Sequence, residues 1–272
     1  MTPLARELRR LSAVEMQSAL GVERAPEALR RFIELPLLAL SHGLGRTLAN
    51  MDTAIGTHGL PDAARLALRD FRVGCQCHGE APERGACLVL ANHPGAYDAL
   101  ALMSALCRRD LLVLAADRSF LRALPRLSEH LVFVGEHPAE RAAALKRAVA
   151  SFKRGAAVLH FPAGRIEPDA AFEPDPERWL APWQPGIRTL LRAAERHDAE
   201  VLVAGVRGVH SPRAKRFVIN RWAEARGVTT LCPLLQIVGR LEDVSVRVQL
   251  ARAASVEPER LRAQLRAALE AR

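Results

Sequence analysis

The sequence predicts an α/β fold: a largely parallel central sheet flanked by helices. An N-terminal helical extension is expected over residues 1–70 and an α/β domain over residues 71–272. Three observations predict it. From Phe71 onward, short apolar runs alternate with longer segments of helical period, the pattern of βα units around a parallel sheet. The first seventy or so residues read as helical, with apolar residues three or four positions apart. Hydrophobic residues make up 49% of the 272 residues, enough to fill a sizeable core and too many for disorder.

In the extension, Pro36 suits a first helical position. Leu37, Leu40, Leu44, Leu48, Met51 and Ile55 then recur along one stripe. Such a stripe packs on a domain or lies in a membrane interface. Strands are expected at Phe71–His78, Ala86–Asn92, Leu111–Ala116, Leu131–Val134, Ala156–Phe161, Val201–Val206 and Val244–Leu250. Helices are expected at Ala96–Cys107, Ser119–Leu124, Pro138–Lys153, Gly186–His197, Arg216–Arg226, Thr229–Val238 and Pro258–Ala271. The segment Pro138–Lys153 is the best marked, with proline at its start and Gly155 just beyond its end.

Charge and cysteine usage bound the partners. A formal net charge of +9 favours anions: acidic phospholipid surfaces, phosphorylated substrates, acidic carrier proteins or nucleic acid. Nucleic acid is set aside, because aromatics are only 4% and the arginines form no basic stripe. The five cysteines show no paired spacing, which fits a reducing compartment. Cys75-Gln76-Cys77-His78 lacks the second pair that a zinc site needs, so no metal is expected. No secretory signal is visible. The apolar stretch Leu35–Gly45 falls short of the roughly 20 residues that span a bilayer, so membrane contact is expected to be peripheral.

The segment Leu88-Val-Leu-Ala-Asn-His-Pro-Gly-Ala-Tyr-Asp98 carries the chemistry. His93 emerges at the carboxyl edge of a buried strand, where active residues of α/β sheets gather. Pro94 and Gly95 make the turn, and Tyr97 and Asp98 fall in the first turn of the next helix. From there the Asp98 carboxylate can fold back to the imidazole, fix its tautomer and stabilise the imidazolium formed on proton abstraction. Backbone amides of the Pro94–Gly95 turn are candidate oxyanion donors. A second strand ends in Phe161-Pro-Ala-Gly-Arg-Ile-Glu167. Arg165 sits in that glycine turn, where a guanidinium can grip an anionic headgroup, and Glu167 can pair with it or bind a cationic group. Arg118 is a further anion candidate. Trp179 and Trp183 flank the loop and suit a membrane interface, an acyl slot or the core.

These blocks resemble the glycerol-phosphate and lysophospholipid acyltransferase superfamily. Its first block is Asn-His-x4-Asp, here Asn92, His93 and Asp98; its third is Phe-Pro-Glu-Gly-Thr-Arg after a strand, here Phe161-Pro162-Ala163-Gly164-Arg165. The resemblance spans roughly Phe71 to Pro212. It implies transfer of a fatty acyl group from acyl-CoA or an acyl carrier protein to a hydroxyl or amine of a lipid-type acceptor. His93 would act as base and Asp98 as its orienter. Substrate contacts are expected from Asn92, Gly95, Tyr97, Arg118, Phe161, Pro162, Gly164, Arg165 and Glu167. No cofactor is implied. The expected location is cytoplasmic, peripheral on the inner face of the cell membrane. The chain departs from the family at Ala163, where the family has glutamate, and at Arg165, which stands next to the glycine. The strand Leu131–Val134 is followed by Gly135-Glu136-His137 and no arginine. The family residues missing there bind the acceptor's phosphate, so acceptor identity does not follow from the resemblance. The altered third block also admits an idle lipid-binding scaffold.

Overall fold

Short apolar runs become strands throughout the second part of the chain. In the computed structural model, which describes residues 2–19, 27–95, 97–218, 220, 232, 233, 236, 237, 241 and 243–271, three helices come first: α1 (Pro3–Ala19), α2 (Glu27–His58) and α3 (Leu60–Asp70). Then follow β1 (Gly74–His78), β2 (Cys87–Ala91), α4 (Asp98–Ala105), β3 (Leu112–Ala116), α5 (Ser119–Arg122), α6 (Pro125–Glu129) and β4 (Leu131–Val134). The rest is α7 (Pro138–Phe152), β5 (Ala157–His160), α8 (Ile187–Arg196), β6 (Glu200–Arg207), α9 (Pro212–Arg216), β7 (Ser245–Arg252) and, last among the described residues, α10 (Pro258–Glu270). The seven strands form one sheet in the order β1-β7-β6-β2-β5-β3-β4. Only β6 and β7 pair antiparallel, so β1 and β7 run against the other five.

The central strands β2, β5 and β6 are buried on both faces and read as continuous apolar runs, whereas β1 is largely exposed and β7 alternates. Cys87, Val89 and Ala91 of β2 face one way and pack with Leu60, Ala64 and Leu68 of α3 and Leu102 of α4. Leu88 and Leu90 face the other way and pack with Ala148 of α7, Leu190 of α8 and Leu265 of α10. Each such fully buried leucine contributes about 1.5–3 kcal/mol. Leu48, Met51 and Ile55 of α2 join the first core, while Leu37 packs with Ala13 and Met16 of α1. The expected boundary at residue 70 falls between α3 and β1, and the core is continuous across it. Asp52 of α2 reaches α6 and accepts the N–H groups of Arg126 and Leu127, tying two elements far apart in sequence.

Local expectations are corrected at two points and narrowed at a third. Pro36 does not open a helix: α2 begins at Glu27 and runs through it, and the proline removes one rung from the interior. Helices α6 and α9 were not expected. Both are five-residue helices that open on a proline, too short to show a helical period. Trp179 and Trp183 take the packing role: Trp179 is buried and donates its Nε1–H to Glu173 O, and Trp183 lies against the same core. The helices expected at Arg216–Arg226 and Thr229–Val238 lie almost wholly outside the described residues.

One feature of the topology places the site. From β2 the chain leaves through α4 towards β3, and from the adjacent β5 it leaves through α8 towards β6. The two connections depart in opposite directions and on opposite faces. Such a switch point opens a crevice at the carboxyl ends of the two strands.

Candidate active site

The loop after β2 and the loop after β5 meet at this crevice. Asn92 ends β2 with its amide as a continuation of the sheet: Nδ2 donates to Val206 O at 2.8 Å, and Val206 N–H donates to Oδ1 at 2.7 Å. The next side chain, His93, points out of the strand end. Its Nδ1 lies 2.7 Å from Asp98 Oδ2, and its ring stacks on Phe161 with centroids 4.4 Å apart. A carboxylate only accepts, so Nδ1 carries the proton and the lone pair of the neutral ring sits on Nε2. The Asp98 side chain is 2% exposed while that of His93 is 29% exposed, so the pair is anchored on one side and open on the other.

Asp98 is held tightly. Gly95 N–H donates to Oδ2 at 2.7 Å and Ala99 N–H to Oδ1 at 2.6 Å. Its place in the first turn of α4 also puts the carboxylate at the positive end of the helix dipole. Gly95 has φ 90, a left-handed conformation, and a Cβ there would meet Ile166 at 3.1 Å, so only glycine closes this turn. Burial alone would push the His93 imidazole down. The Asp98 charge and hydrogen bond, with Glu167 adding a further charge, hold it above its ordinary value.

Glu167 has a part that sequence reasoning missed. It is 3% exposed. Its Oε2 accepts His93 N–H at 2.9 Å, its Oε1 accepts Ala181 N–H at 2.7 Å, and its own N–H donates to His93 O at 2.7 Å. The loop after β5 thus grips the main chain of the histidine from both sides. Burial raises the Glu167 carboxyl above its ordinary value, against the two backbone donors and the His93 and Arg262 charges that favour the ionised form. Two positions on, Asp169 accepts the N–H groups of Ala171, Gly208 and His210, which pins the same loop to the end of β6.

Several expected substrate contacts therefore take other roles. The amide of Asn92 is occupied by Val206. Tyr97 is 2% exposed and its ring packs on Phe71 with centroids 5.4 Å apart, which makes it a core residue. The carboxylate of Glu167 is filled by backbone donors, so it neither pairs with Arg165 nor presents a charge to a ligand. Arg118 caps the start of α5 and pairs with Glu15 of α1 at 3.6 Å. The expected oxyanion donors fail as well: Pro94 has no N–H, and that of Gly95 is engaged by Asp98. Phe161 and Pro162 are buried, the first beneath the imidazole and the second as acceptor from Gln184 N–H. Gly164, with φ 63, lets the loop turn beside Gln184. Arg165 is exposed, next to the Ile166 side chain that covers Gly95, and so stands at the rim of the His93 cleft. No group of three or more metal-ligating side chains occurs among the described residues.

The pair, the strand end and the glycine turn can perform proton transfer to and from a nucleophile brought by a substrate. Residues 74–204, from the first residue of β1 into β6, match the family described as Acyltransferase. No curated protein matches the chain in sequence. Among solved structures it is similar to the 1-acyl-sn-glycerophosphate (LPA) acyltransferase PlsC from Thermotoga maritima, at 14% identity and a TM-score of 0.42, covering 83% of this chain and 94% of that one. Both the His93–Asp98 segment and the Phe161–Gly164 turn fall inside the span that matches the acyltransferase family.

Proposed function

We propose that the protein moves a fatty acyl group from the thioester of acyl-CoA or an acyl carrier protein to a hydroxyl or amine of a phospholipid-type acceptor, with His93 and Asp98 as the general-base pair. The observation that carries this reading is the 2.7 Å contact between Nδ1 and the carboxylate, with Nε2 neither sealed nor paired among the described residues. Nε2 takes the proton of the acceptor's O–H or N–H as the acceptor's oxygen or nitrogen attacks the thioester carbonyl. The tetrahedral intermediate collapses, the C–S bond breaks, and the imidazolium returns its proton to the departing thiolate. The products are an acylated lipid and a free thiol. Asp98 keeps the ring oriented and stabilises its charged form. The step as written needs no metal or nucleotide cofactor.

Arg165, at the cleft rim, suits contact with an anionic headgroup. The net charge of +9 suits a peripheral position on the inner, anionic face of the cell membrane, each basic residue near such a surface adding about 1 kcal/mol. Among the described residues no helix is long and apolar enough to cross a membrane. The test supplies each donor with a panel of lysophospholipids and follows thiol release and lipid products together. One acylated lipid per thiol is expected, with His93→Ala inactive. Thiol release that yields only free fatty acid would replace acyl transfer with hydrolysis.

A further inference from the structure

Helix α8 is built on a buried stripe of Ile187, Leu190, Leu191 and Ala194. On its opposite side Arg188, Arg192 and Arg196 recur every four residues, all exposed. Dispersed along the chain, the arginines show no basic stripe until the period of α8 aligns three of them. The row works against its own helix. Like charges four residues apart repel, and Arg188 stands in the first turn, at the positive end of the helix dipole, with no acidic residue in that turn.

Helix α7 adds to the row. Both helices lead from the carboxyl end of one strand to the start of a parallel one, so they run in the same direction. Gly186, at the head of α8, faces the Leu145 side chain of α7. Lys146 follows Leu145, and Lys153 stands at the end of the helix, both exposed, so lysines run beside the arginines. Together α7 and α8 carry six arginines and lysines against two glutamates, and one of these, Glu140, accepts the His137 N–H. Among the described residues, none of Lys146, Lys153, Arg188, Arg192 and Arg196 has a carboxylate at ion-pair distance. The arginines of α10, over the same core, are all answered: Arg260 by Glu257, Arg262 by Leu180 O and Arg266 by Glu177.

The face adjoins the His93 cleft. Both helices begin at the carboxyl end of the sheet, and Gln184, four residues before Arg188, donates its N–H to Pro162 O beside the Phe161 ring that underlies the imidazole. A lipid surface is the poorer fit, because the exposed large apolar residues, such as Ile166, Phe172 and Phe217, lie off α7 and α8, and membrane docking needs apolar side chains to bury as well as charge. A charged face without an apolar centre suits fast, steered and short-lived docking of a protein.

We propose that the exposed face of α7 and α8 docks an acidic protein, the acyl carrier protein that brings the thioester, through Arg188, Arg192, Arg196, Lys146 and Lys153. That this partner delivers the acyl group rests on the function proposed above; that the face takes an acidic protein does not. Steering raises the encounter rate, and the lack of apolar contact lets the discharged carrier leave.

Two measurements use the full chain. The first compares kcat/KM for palmitoyl-acyl carrier protein with that for palmitoyl-CoA on the lysophospholipid panel. It sets the native protein beside R188Q/R192Q and the control R6Q/R10Q, whose arginines are exposed with the same spacing on α1. The second titrates labelled acyl carrier protein against the same proteins at low and high salt, and floats each with phosphatidylglycerol vesicles. In R188Q/R192Q the carrier-bound donor is expected to lose at least about tenfold in kcat/KM and the carrier a similar factor in affinity, with the CoA donor and the control little changed. Native binding should weaken as salt rises. K146Q/K153Q repeats the test from the other helix should the α8 variant misfold. Equal losses with both donors, unaltered carrier binding in both variants, or no carrier binding by the native protein overturns the proposal. Lost flotation with carrier binding kept would assign the face to the membrane instead and overturns it too. His93→Ala is expected to bind the carrier normally. If neither donor supports transfer, the proposed function fails and the carrier titration alone decides the face.

Discussion

Among the described residues, two histidine–aspartate pairs stand at neighbouring strand ends, and they are built to opposite purposes. At the end of β2, His93 and Asp98 sit 2.7 Å apart, with the imidazole 29% exposed. Beyond the end of β6, His210 and Asp169 stand 3.5 Å apart, with side chains 7% and 0% exposed. The carboxylate of Asp169 is filled by three backbone N–H groups, and the His210 ring lies beside it with Nδ1 buried and making no hydrogen bond. Burial opposes the charge of Asp169, yet His210 and the backbone donors hold its carboxyl below the ordinary range. The same two residue types thus make an open pair at the end of β2 and a buried, structural pair beyond the end of β6. Access and the free lone pair separate chemistry from architecture; the residue names do not.

The sharpest way to break this comparison is to remove each imidazole in turn. His93→Ala is expected to lower kcat for acyl transfer by roughly 10²–10⁴, the usual contribution of a positioned base, with an unchanged thermal transition. His210→Ala is expected to do the reverse, lowering the Tm while the folded protein keeps acyl transfer within about a factor of a few. Equal activity losses in the two variants would mean that the open pair has no special part.

Replacing the carboxylates is a smaller and more informative change. A base works when neutral, and the His93 imidazole titrates above its ordinary value, so the rate should rise with pH through a midpoint above about 6.5. In Asp98→Asn the charge that raises it is gone and burial remains, so the midpoint should move down while the plateau falls, by about ten- to a hundredfold. A pH–rate profile checks both. Asp169→Asn should leave that profile in place. It turns an amide N–H towards a backbone donor and should cost about 1–3 kcal/mol of stability at neutral pH. Because the folded-state carboxyl of Asp169 is depressed, its contribution is present above the ordinary carboxylate value and fades as pH falls through the folded one. Denaturant unfolding at neutral and acid pH should therefore show the deficit of the variant shrinking in acid.

What the sequence made legible follows from the range of the interactions involved. Strand β2 is five consecutive apolar residues, and a run buried on both faces needs no partner to be read. His93 and Asp98 lie on one loop, so their meeting was a local matter of a turn and a helix start. Gly95 could be read as a turn residue, but its N–H could not be assigned until the Asp98 carboxylate had a position. Long-range contacts were hidden. The partner of the Asn92 amide is 114 residues away, and Glu167 grips the His93 main chain across 74 residues. Nothing in the order of residues marks such a bond, and polar residues beside a reactive histidine were read as substrate contacts when they are its scaffold.

The smallest expected effect tests whether that scaffold matters to the open pair. Glu167→Gln keeps the shape of the side chain and one carbonyl acceptor. It replaces the second acceptor with an N–H that opposes either His93 N–H or Ala181 N–H. The loop remains joined to β2 through Glu167 N–H and His93 O, so the fold should persist. The imidazole should then occupy its productive geometry less often, giving a kcat lower by about tenfold with little change in KM, since positioning of the reacting group is what is lost. The variant also removes a charge that helps raise the imidazole, so the midpoint of the pH–rate profile should slip downward by less than in Asp98→Asn. A purely structural carboxylate would lower the Tm and leave that midpoint unmoved. A shift in midpoint with the KM retained would mark Glu167 as the residue that holds the base in place.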